Sequence, residues 1–123
     1  MVWQYDDTVV SKRKVTMRIV TIIPARGGSK SLPKKNIRLL NNKPLLCYSI
    51  EYSKNSTLVD KTIVSTDYQE IADIAEKCGA EVPFLRPSAH SQDNTRDYAF
   101  MRHALDYFES IGEVYDIYIL LRP

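Results

Sequence analysis

The feature that most constrains the fold is an apolar run near the amino end, MRIVTIIPA at residues 17–25. Its central residues are mostly β-branched and continuous in apolarity, and Pro24 closes the run. An alternating pattern would indicate a strand with one solvated face, whereas a continuous run indicates a strand covered on both faces. The run therefore predicts a buried strand of a parallel sheet.

A helix and a second strand follow. Residues 43–56 predict a helix, because Pro44 suits its first turn and apolar residues recur at helical spacing. The apolar positions are Leu45, Leu46, Tyr48, Ile50 and Tyr52. The run KTIVSTD at residues 61–67 predicts a second, short strand.

The next helix, at residues 68–79, has the clearest end signals in the chain. Thr66 or Asp67 is placed to cap its amino end, and Gly79 stops it. Its apolar stripe consists of Ile71, Ile74, Ala75 and Cys78.

The last third of the chain repeats the alternation. Residues 80–87 read as a short extended piece interrupted by prolines, and residues 88–95 as a polar loop. A third helix is predicted over residues 96–111, ended by Gly112, and a last strand over residues 115–121. The inward positions predicted for this helix are Tyr98, Met101, Leu105, Phe108 and Ile111.

Strands separated by helices of this length predict right-handed crossovers and an α/β fold with a doubly wound, mainly parallel sheet. Residues 1–16 lack periodicity and are expected to form a disordered extension, which leaves residues 17–123 as the folded part. The chain stops two residues after a strand, without the covering helix of an α/β layer, so we expect a truncated part of a longer fold. Such a strand would expose Ile117, Ile119 and Leu121 or their neighbours.

Positive charge is concentrated in one segment. The net charge of +2 is too small for a general nucleic-acid or membrane surface. Between Arg26 and Lys43, however, there are six Lys or Arg and no Asp or Glu, so this segment carries +6 and the remainder −4. We therefore expect a local anion partner, and neither nucleic acid nor membrane.

Cys47 and Cys78 are the two cysteines, and each falls in a segment that reads as a helix with an apolar face. This placement predicts buried free thiols rather than a disulfide, and a reduced, cytoplasmic location. No run approaches the roughly 18 apolar residues of a membrane helix. Charged residues interrupt any secretory core near the amino end.

The basic segment contains the stretch IIPARGGSKSLPKKN, residues 22–36. Ligands of parallel α/β sheets lie beyond the carboxyl ends of the strands, where this loop begins. Gly27 and Gly28 lack Cβ atoms, which lets backbone N–H groups turn toward an anion and allows φ values that other residues avoid. The surrounding cations are Arg26, Lys30, Lys34 and Lys35. The combination predicts capture of a polyphosphate.

The spacing in this loop matches neither the P-loop nor the Rossmann fingerprint. A flexible loop with solvated lysines remains the alternative. RNA binding is less favoured, because no aromatic residue stands among the cations to stack on bases.

The stretch resembles the amino-terminal signature of the acylneuraminate cytidylyltransferase, or CMP-sialic acid synthetase, family. Further stretches agree in order and spacing: NKPLLCYSI, IVSTD, IADIAEKCGAEVPFLRP, SQDNT, HAL and ILLRP. The similarity covers residues 18–123. It implies a nucleotide-diphospho-sugar transferase-like fold and a nucleotidyltransferase of sugar nucleotide biosynthesis. In the implied reaction, an acidic nine-carbon sugar attacks the α-phosphorus of CTP, giving CMP-sugar and pyrophosphate with Mg²⁺ assistance.

The resemblance also implies site residues. Arg26 and Lys35 would be catalytic by holding the triphosphate, and Arg122 would contact the sugar. The implied nucleotide-binding residues are Ala25, Arg26, Gly27, Gly28, Ser29, Lys30, Lys35, Asn36, Arg86 and Thr95. Ser29 and Asn36 have an alternative role in shaping turns. Asp67 could hold a metal at the end of its strand, but we favour helix capping.

The chain departs from the family pattern in ways that limit the prediction. Ser31 replaces a glycine common in relatives, and Arg122 replaces a glutamine, so the sugar could be a sialic, legionaminic or pseudaminic acid. The family's metal-binding aspartates and dimerisation segment belong to a carboxyl-terminal half beyond this chain, and the 123-residue piece alone is expected to be inactive. His90 and His103 lack the spacing of a zinc site. The alternatives are a 3-deoxy-manno-octulosonate cytidylyltransferase and a non-catalytic nucleotide- or anion-binding module.

Overall fold

A three-stranded parallel sheet organises the chain in the computed structural model, which describes residues 17–27, 35–87 and 97–123. The elements in chain order are β1 (Ile19–Pro24), a 3₁₀ turn (Lys35–Ile37), β2 (Leu39–Leu40), β3 (Lys43–Pro44), α1 (Leu45–Lys54), β4 (Lys61–Ser65), α2 (Gln69–Lys77), α3 (Asp97–Ser110) and β5 (Ile117–Leu120). The disordered extension predicted for residues 1–16 lies outside the described residues.

Strand β1 lies at the centre of the sheet, in the order β4-β1-β5. Ile22 is in register with Ile63 of β4 on one side and with Leu120 of β5 on the other, and both pairings are parallel. Residues 80–87 form the extended segment that follows α2. Two parallel bridges join this segment to the outer edge of the sheet, Glu81 with Ile63 and Leu85 with Thr66. The predicted parallel α/β sheet is confirmed.

Both faces of β1 are covered, as its continuous apolar run predicts. On one face, Ile23 and Val64 pack against helices α1 and α2. On the other face, Ile22 and Ile63 pack against helix α3, where Phe108 is 1% exposed. The sheet is therefore doubly wound, with helices on both sides.

The buried face of α1 differs from the prediction. Tyr48 and Tyr52 are exposed, whereas Cys47 and Ser53 are buried. The Ser53 hydroxyl lies 2.8 Å from the Thr62 hydroxyl of β4, which satisfies both groups inside the core. Ser53 therefore points inward because its hydroxyl is paired, whereas the helical pattern of apolar residues predicted that Tyr48 and Tyr52 would point inward.

Helix α3 also turns a different set of residues inward. Phe100, Ala104 and Phe108 are buried, while Ile111 is 49% exposed because it follows the end of the helix. Met101 and Leu105 are half-buried, and the side chain of Tyr98 lies outside the described set. Gly112 follows with φ 78°, so the predicted stop is confirmed. Gly79 ends α2 in the same way with φ 102°.

A disulfide joins Cys47 and Cys78, so the prediction of free thiols is wrong. Cys47 lies in the first turn of α1 and Cys78 caps the carboxyl end of α2, and their Cα atoms are 5.6 Å apart. The two helices pack on the same face of the sheet, which brings cysteines from separate apolar stripes within bonding reach. The cytoplasmic location, argued partly from free thiols, stays a prediction.

A small antiparallel hairpin, β2 and β3, precedes α1 and was not predicted from the sequence. Asn41 and Asn42 form its turn with φ 54° and 65°, the left-handed values of a two-residue hairpin loop. The Leu45 N–H donates to the Arg38 carbonyl at 2.9 Å, which ties the start of α1 to the end of the 3₁₀ turn. None of the helices within the described ranges is long and apolar enough to cross a bilayer.

Strand β5 forms an edge of the sheet. Ile117 and Ile119 are each 38% exposed, as expected for an incompletely covered strand. Leu121 instead packs against the core on the α1 and α2 side, and its N–H donates to the Ile22 carbonyl at 3.1 Å. The predicted exposure is confirmed for the two isoleucines and wrong for Leu121.

A polar cluster lies at the amino end of the sheet, opposite the predicted ligand edge. Lys61 Nζ donates to Glu113 Oε1 at 3.0 Å, and the Tyr115 hydroxyl donates to the same oxygen at 2.7 Å. The Tyr115 and Lys61 hydrogen bonds hold the pKa of the Glu113 carboxyl below its ordinary value. These contacts therefore stabilise the charged form of the Glu113 carboxyl in the folded protein.

Candidate functional site

The carboxyl ends of the three strands meet at one edge of the sheet, where the basic loop begins. Ala25 directly follows β1, is fully buried, and donates its N–H to the Ser65 carbonyl at 2.9 Å. Arg122 is exposed and lies two residues after the end of β5 at the same edge. This is the edge at which parallel α/β sheets bind their ligands.

The 3₁₀ turn closes back onto the exit of β1. The Asn36 side-chain amide donates to the Arg26 carbonyl at 3.2 Å, and Asn36 is 5% exposed. Ile37 anchors the turn by packing against the core between α1 and α2. Lys35 is exposed at the start of the turn, so the two predicted catalytic cations, Arg26 and Lys35, are brought to the same edge.

Asn36 therefore joins the 3₁₀ turn to the Arg26 backbone through its amide. Its predicted contact with a nucleotide is a separate role that stays a prediction. Four other predicted site residues, Gly28, Ser29, Lys30 and Thr95, lie outside the described residues, as does His90.

Gly27 is held from two directions by the residues that follow β4. Its N–H donates to Asp67 Oδ1 at 2.9 Å. A Cβ built on Gly27 would lie 2.2 Å from Tyr68 Cγ, so the tyrosine ring rests directly against the glycine backbone. The φ of Gly27 lies outside the left-handed region, so glycine is required here for space and not for its φ value. The sequence-based reason for this glycine was wrong in that respect.

Asp67 does not cap α2. Tyr68 occupies the N-cap position of α2 without a side-chain capping hydrogen bond, and the Asp67 carboxylate binds Gly27 instead. The prediction of a capping role is therefore wrong. A carboxylate bound to an amide is a charge-assisted hydrogen bond, which is about twice as strong as a neutral one.

Arg86 lies behind this edge as a buried cation. It is 4% exposed, its guanidinium donates to the Ser65 carbonyl at 3.0 Å and lies 5.1 Å from the centre of the Phe100 ring. Burial lowers the pKa of Arg86, the Asp67 carboxylate opposes this shift, and Arg26 adds to it. Asp67 and Arg26 are therefore near enough to Arg86 to act on its charge, and Arg86 supplies a fixed positive charge.

The sequence reasoning missed the roles of Asp67 and Tyr68 toward Gly27. The signal available was that both residues directly follow a strand neighbouring β1, so the carboxyl ends of the two strands place them beside the loop.

Within the described ranges, no group of three or more His, Cys, Asp or Glu side chains is arranged to hold a metal ion. The His103 ring packs edge-on against Phe84 with centroids 4.7 Å apart.

Three comparisons relate this geometry to known proteins. The sequence profile of a family described as Cytidylyltransferase matches residues 20–117. A pseudaminic acid cytidylyltransferase of Campylobacter jejuni is 42% identical over 100 residues, which cover 81% of this chain and 43% of that protein. A CMP-N,N'-diacetyllegionaminic acid synthase of Legionella pneumophila is 40% identical over 107 residues, which cover 87% and 46%. An N-acylneuraminate cytidylyltransferase of Escherichia coli is 42% identical over 106 residues, which cover 86% and 24%.

Among solved structures, a CMP:2-keto-3-deoxy-manno-octonic acid synthetase complexed with CTP matches with a TM-score of 0.66 and 23% identity, over 85% of this chain and 39% of that one. This likeness shows the fold. The chain spans less than half the length of the curated relatives it matches. The family profile covers most of the chain, and the chain therefore belongs to the cytidylyltransferase family.

Proposed function

We propose that the complete product of this gene transfers a cytidylyl group from CTP to an acidic nine-carbon sugar. The anomeric hydroxyl of the sugar attacks the α-phosphorus of CTP and gives its proton to water. The bond from that phosphorus to the oxygen bridging the α- and β-phosphates breaks, and pyrophosphate leaves with that oxygen. One observation carries this proposal: three relatives of 40–42% identity are named for the same type of transfer to three different acids of this class.

The geometry at the sheet edge supports this reaction. Arg26 and Lys35 lie at the same edge of the sheet, because Asn36, the neighbour of Lys35, donates a hydrogen bond to the Arg26 carbonyl. A triphosphate placed there would find cations able to neutralise its oxygens, which must happen before a nucleophile approaches phosphorus. We propose that Arg26 and Lys35 hold the triphosphate and that the buried guanidinium of Arg86 adds a fixed charge near the nucleotide.

Mg²⁺ would neutralise further charge on the phosphates when bound. The described residues do not assemble a metal site, since they contain no suitable group of ligands. No step is therefore assigned to the metal, and its use stays part of the proposal, together with a homodimer and a cytoplasmic location.

Arg122 is the residue we propose for the sugar side of the site. It is exposed at the same edge as the basic loop, two residues after β5. A guanidinium there matches the carboxylate that all acidic sugars of this class carry. We expect Arg122→Gln to raise the KM for the sugar more than the KM for CTP.

The test is a pyrophosphate-release assay on the complete gene product with CTP and a panel of sialic, legionaminic and pseudaminic acids. Release with at least one acid and with CTP in preference to UTP supports the proposal. A folded protein that releases no pyrophosphate with any of these acids would refute it. The octulosonate cytidylyltransferase alternative has a likeness of fold at 23% identity, which carries no argument about substrate.

A further inference from the structure

Two consecutive residues after β4 hold the first glycine of the basic loop. Asp67 Oδ1 accepts the Gly27 N–H at 2.9 Å, and the Tyr68 ring lies where a side chain of residue 27 would have to be. Gly27 is buried and is the last described residue before the loop continues. Asp67 and Tyr68 therefore hold the backbone that directly follows Arg26 at the ligand edge of the sheet.

From this arrangement we infer that Asp67 and Tyr68 are positioning residues that hold Gly27, and with it the adjoining Arg26, in place for the phosphate binding of the proposed cytidylyl transfer. The inference rests on the proposed function for the identity of the ligand. It assigns neither residue a contact with the substrate. Both act through Gly27 on the neighbouring Arg26.

The hold on Gly27 is built from two different interactions. The carboxylate fixes the direction of the amide through a charge-assisted hydrogen bond. The ring fixes the position of the α-carbon by excluding space around it. The main chain of Tyr68 is held, because its N–H donates to the Thr66 hydroxyl at 3.2 Å and its carbonyl accepts the Ala72 N–H at 3.0 Å in α2, while its ring is 39% exposed. These main-chain bonds anchor Tyr68 to the end of β4 and to α2.

The Asp67 carboxylate has two opposing effects on phosphate binding, because it positions Gly27 and also places a negative charge beside the site. The Asp67 carboxylate acts electrostatically on Arg86 and would repel a polyphosphate. If charge alone mattered, removing it would strengthen anion binding in every variant. Asp67→Asn removes the charge and keeps an oxygen that accepts the Gly27 amide, whereas Asp67→Ala removes both.

The first experiment titrates tripolyphosphate into the complete gene product by calorimetry, since this probe carries the charges of a triphosphate without base or sugar. We expect Asp67→Ala to weaken binding about tenfold, a change of about 1.4 kcal/mol, and Asp67→Asn to bind as tightly as the unaltered protein or more tightly. Equal binding by Asp67→Ala and the unaltered protein would overturn the inference. Equal weakening in both variants would also overturn it, because the acceptor oxygen that Asp67→Asn keeps would then make no difference to binding.

The second experiment tests Tyr68 by compensation. Gly27→Ala places a methyl group in the ring and should weaken tripolyphosphate binding about tenfold or more while thermal melting still shows a folded protein. Adding Tyr68→Ala should recover part of the loss, which the two single changes would not predict if they acted independently. Tyr52→Ala, at a tyrosine 76% exposed on α1, is the matched control and should leave binding unchanged. Absence of recovery in the double variant would overturn the role of Tyr68.

The outcomes separate this inference from the proposed function. Tripolyphosphate binding that depends on Asp67 as expected, in a protein that transfers no cytidylyl group, would refute the function and leave the positioning role. Active protein whose KM for CTP is the same with Asp67→Ala would refute the positioning role and leave the function. Failure of the unaltered protein to bind tripolyphosphate would overturn the inference itself.

Discussion

Reduction of the Cys47–Cys78 disulfide should cost the protein a large part of its stability. The bridge closes a loop across a sequence separation of 31 residues and joins α1 to α2. In the chain-entropy treatment, a loop of this length restrains the unfolded state by about 3.7 kcal/mol. The free energy of unfolding of a typical domain is only about 5–15 kcal/mol, so the reduced protein should lose a substantial fraction of its margin.

The assay is urea denaturation followed by far-UV circular dichroism, with and without a phosphine reductant. With a slope near 2 kcal/mol per molar urea, the reduced protein should unfold about 2 M earlier. The free energies extrapolated to zero urea should be compared as well, because a cross-link also compacts the unfolded state and changes the slope. A variant carrying Cys47→Ala and Cys78→Ala should unfold alike in both conditions.

Two results would refute this reasoning. One is a transition in the unaltered protein that the reductant does not move. The other is the recovery of two free thiols per chain from folded protein purified without reductant.

Three further predictions concern the core, the buried cation and the polar cluster. Phe108→Ala should lower the free energy of unfolding by about 3–5 kcal/mol, because Phe108 is 1% exposed, while Val114→Ala at a 67% exposed site should change it by less than about 0.5 kcal/mol; equal effects in urea denaturation would contradict the described core. Arg86→Lys should lower the free energy of unfolding by about 1–3 kcal/mol. Lysine keeps the positive charge, but it cannot make both the hydrogen bond to the Ser65 carbonyl and the contact with the Phe100 ring. An unchanged urea midpoint would contradict this prediction. Glu113→Gln should lower the melting temperature at pH 7. The folded protein holds the pKa of Glu113 below its unfolded value, chiefly through the Tyr115 hydrogen bond, so the stabilisation is present above the unfolded pKa and is lost as pH falls through the folded pKa. A difference in melting temperature between the two proteins that persists or grows in acid would contradict the assigned contacts.

Much of the fold follows from patterns along the sequence. A continuous β-branched run specifies a strand buried on both faces, and β1 is such a strand. The ends of α2 and α3 follow from Gly79 and Gly112, whose positive φ values suit glycine. The inward face of α1 was harder to predict, because the Ser53 hydroxyl finds its partner on β4, a contact that periodicity within one helix does not contain.

The sequence predicted where the candidate site lies on the sheet, but it predicted only part of the contacts within the site. The edge of the sheet and the cations of the loop follow from the rule for parallel sheets and from local charge. The partners of Gly27 do not, because Asp67 and Tyr68 lie 40 or more residues away and meet it only when β4 pairs with β1. The disulfide was missed for the same reason, since the two cysteines come together through the packing of separate helices.

The central claim is that cations at the exit of β1 bind the phosphates of a nucleotide, and calorimetric titration of CTP into the complete gene product tests it most directly. Lys35→Ala should weaken CTP binding about tenfold or more, whereas Lys77→Ala, at a lysine that is also exposed and lies in the last turn of α2, should leave it within about twofold. Identical CTP affinity in the unaltered protein and in both variants would contradict the account.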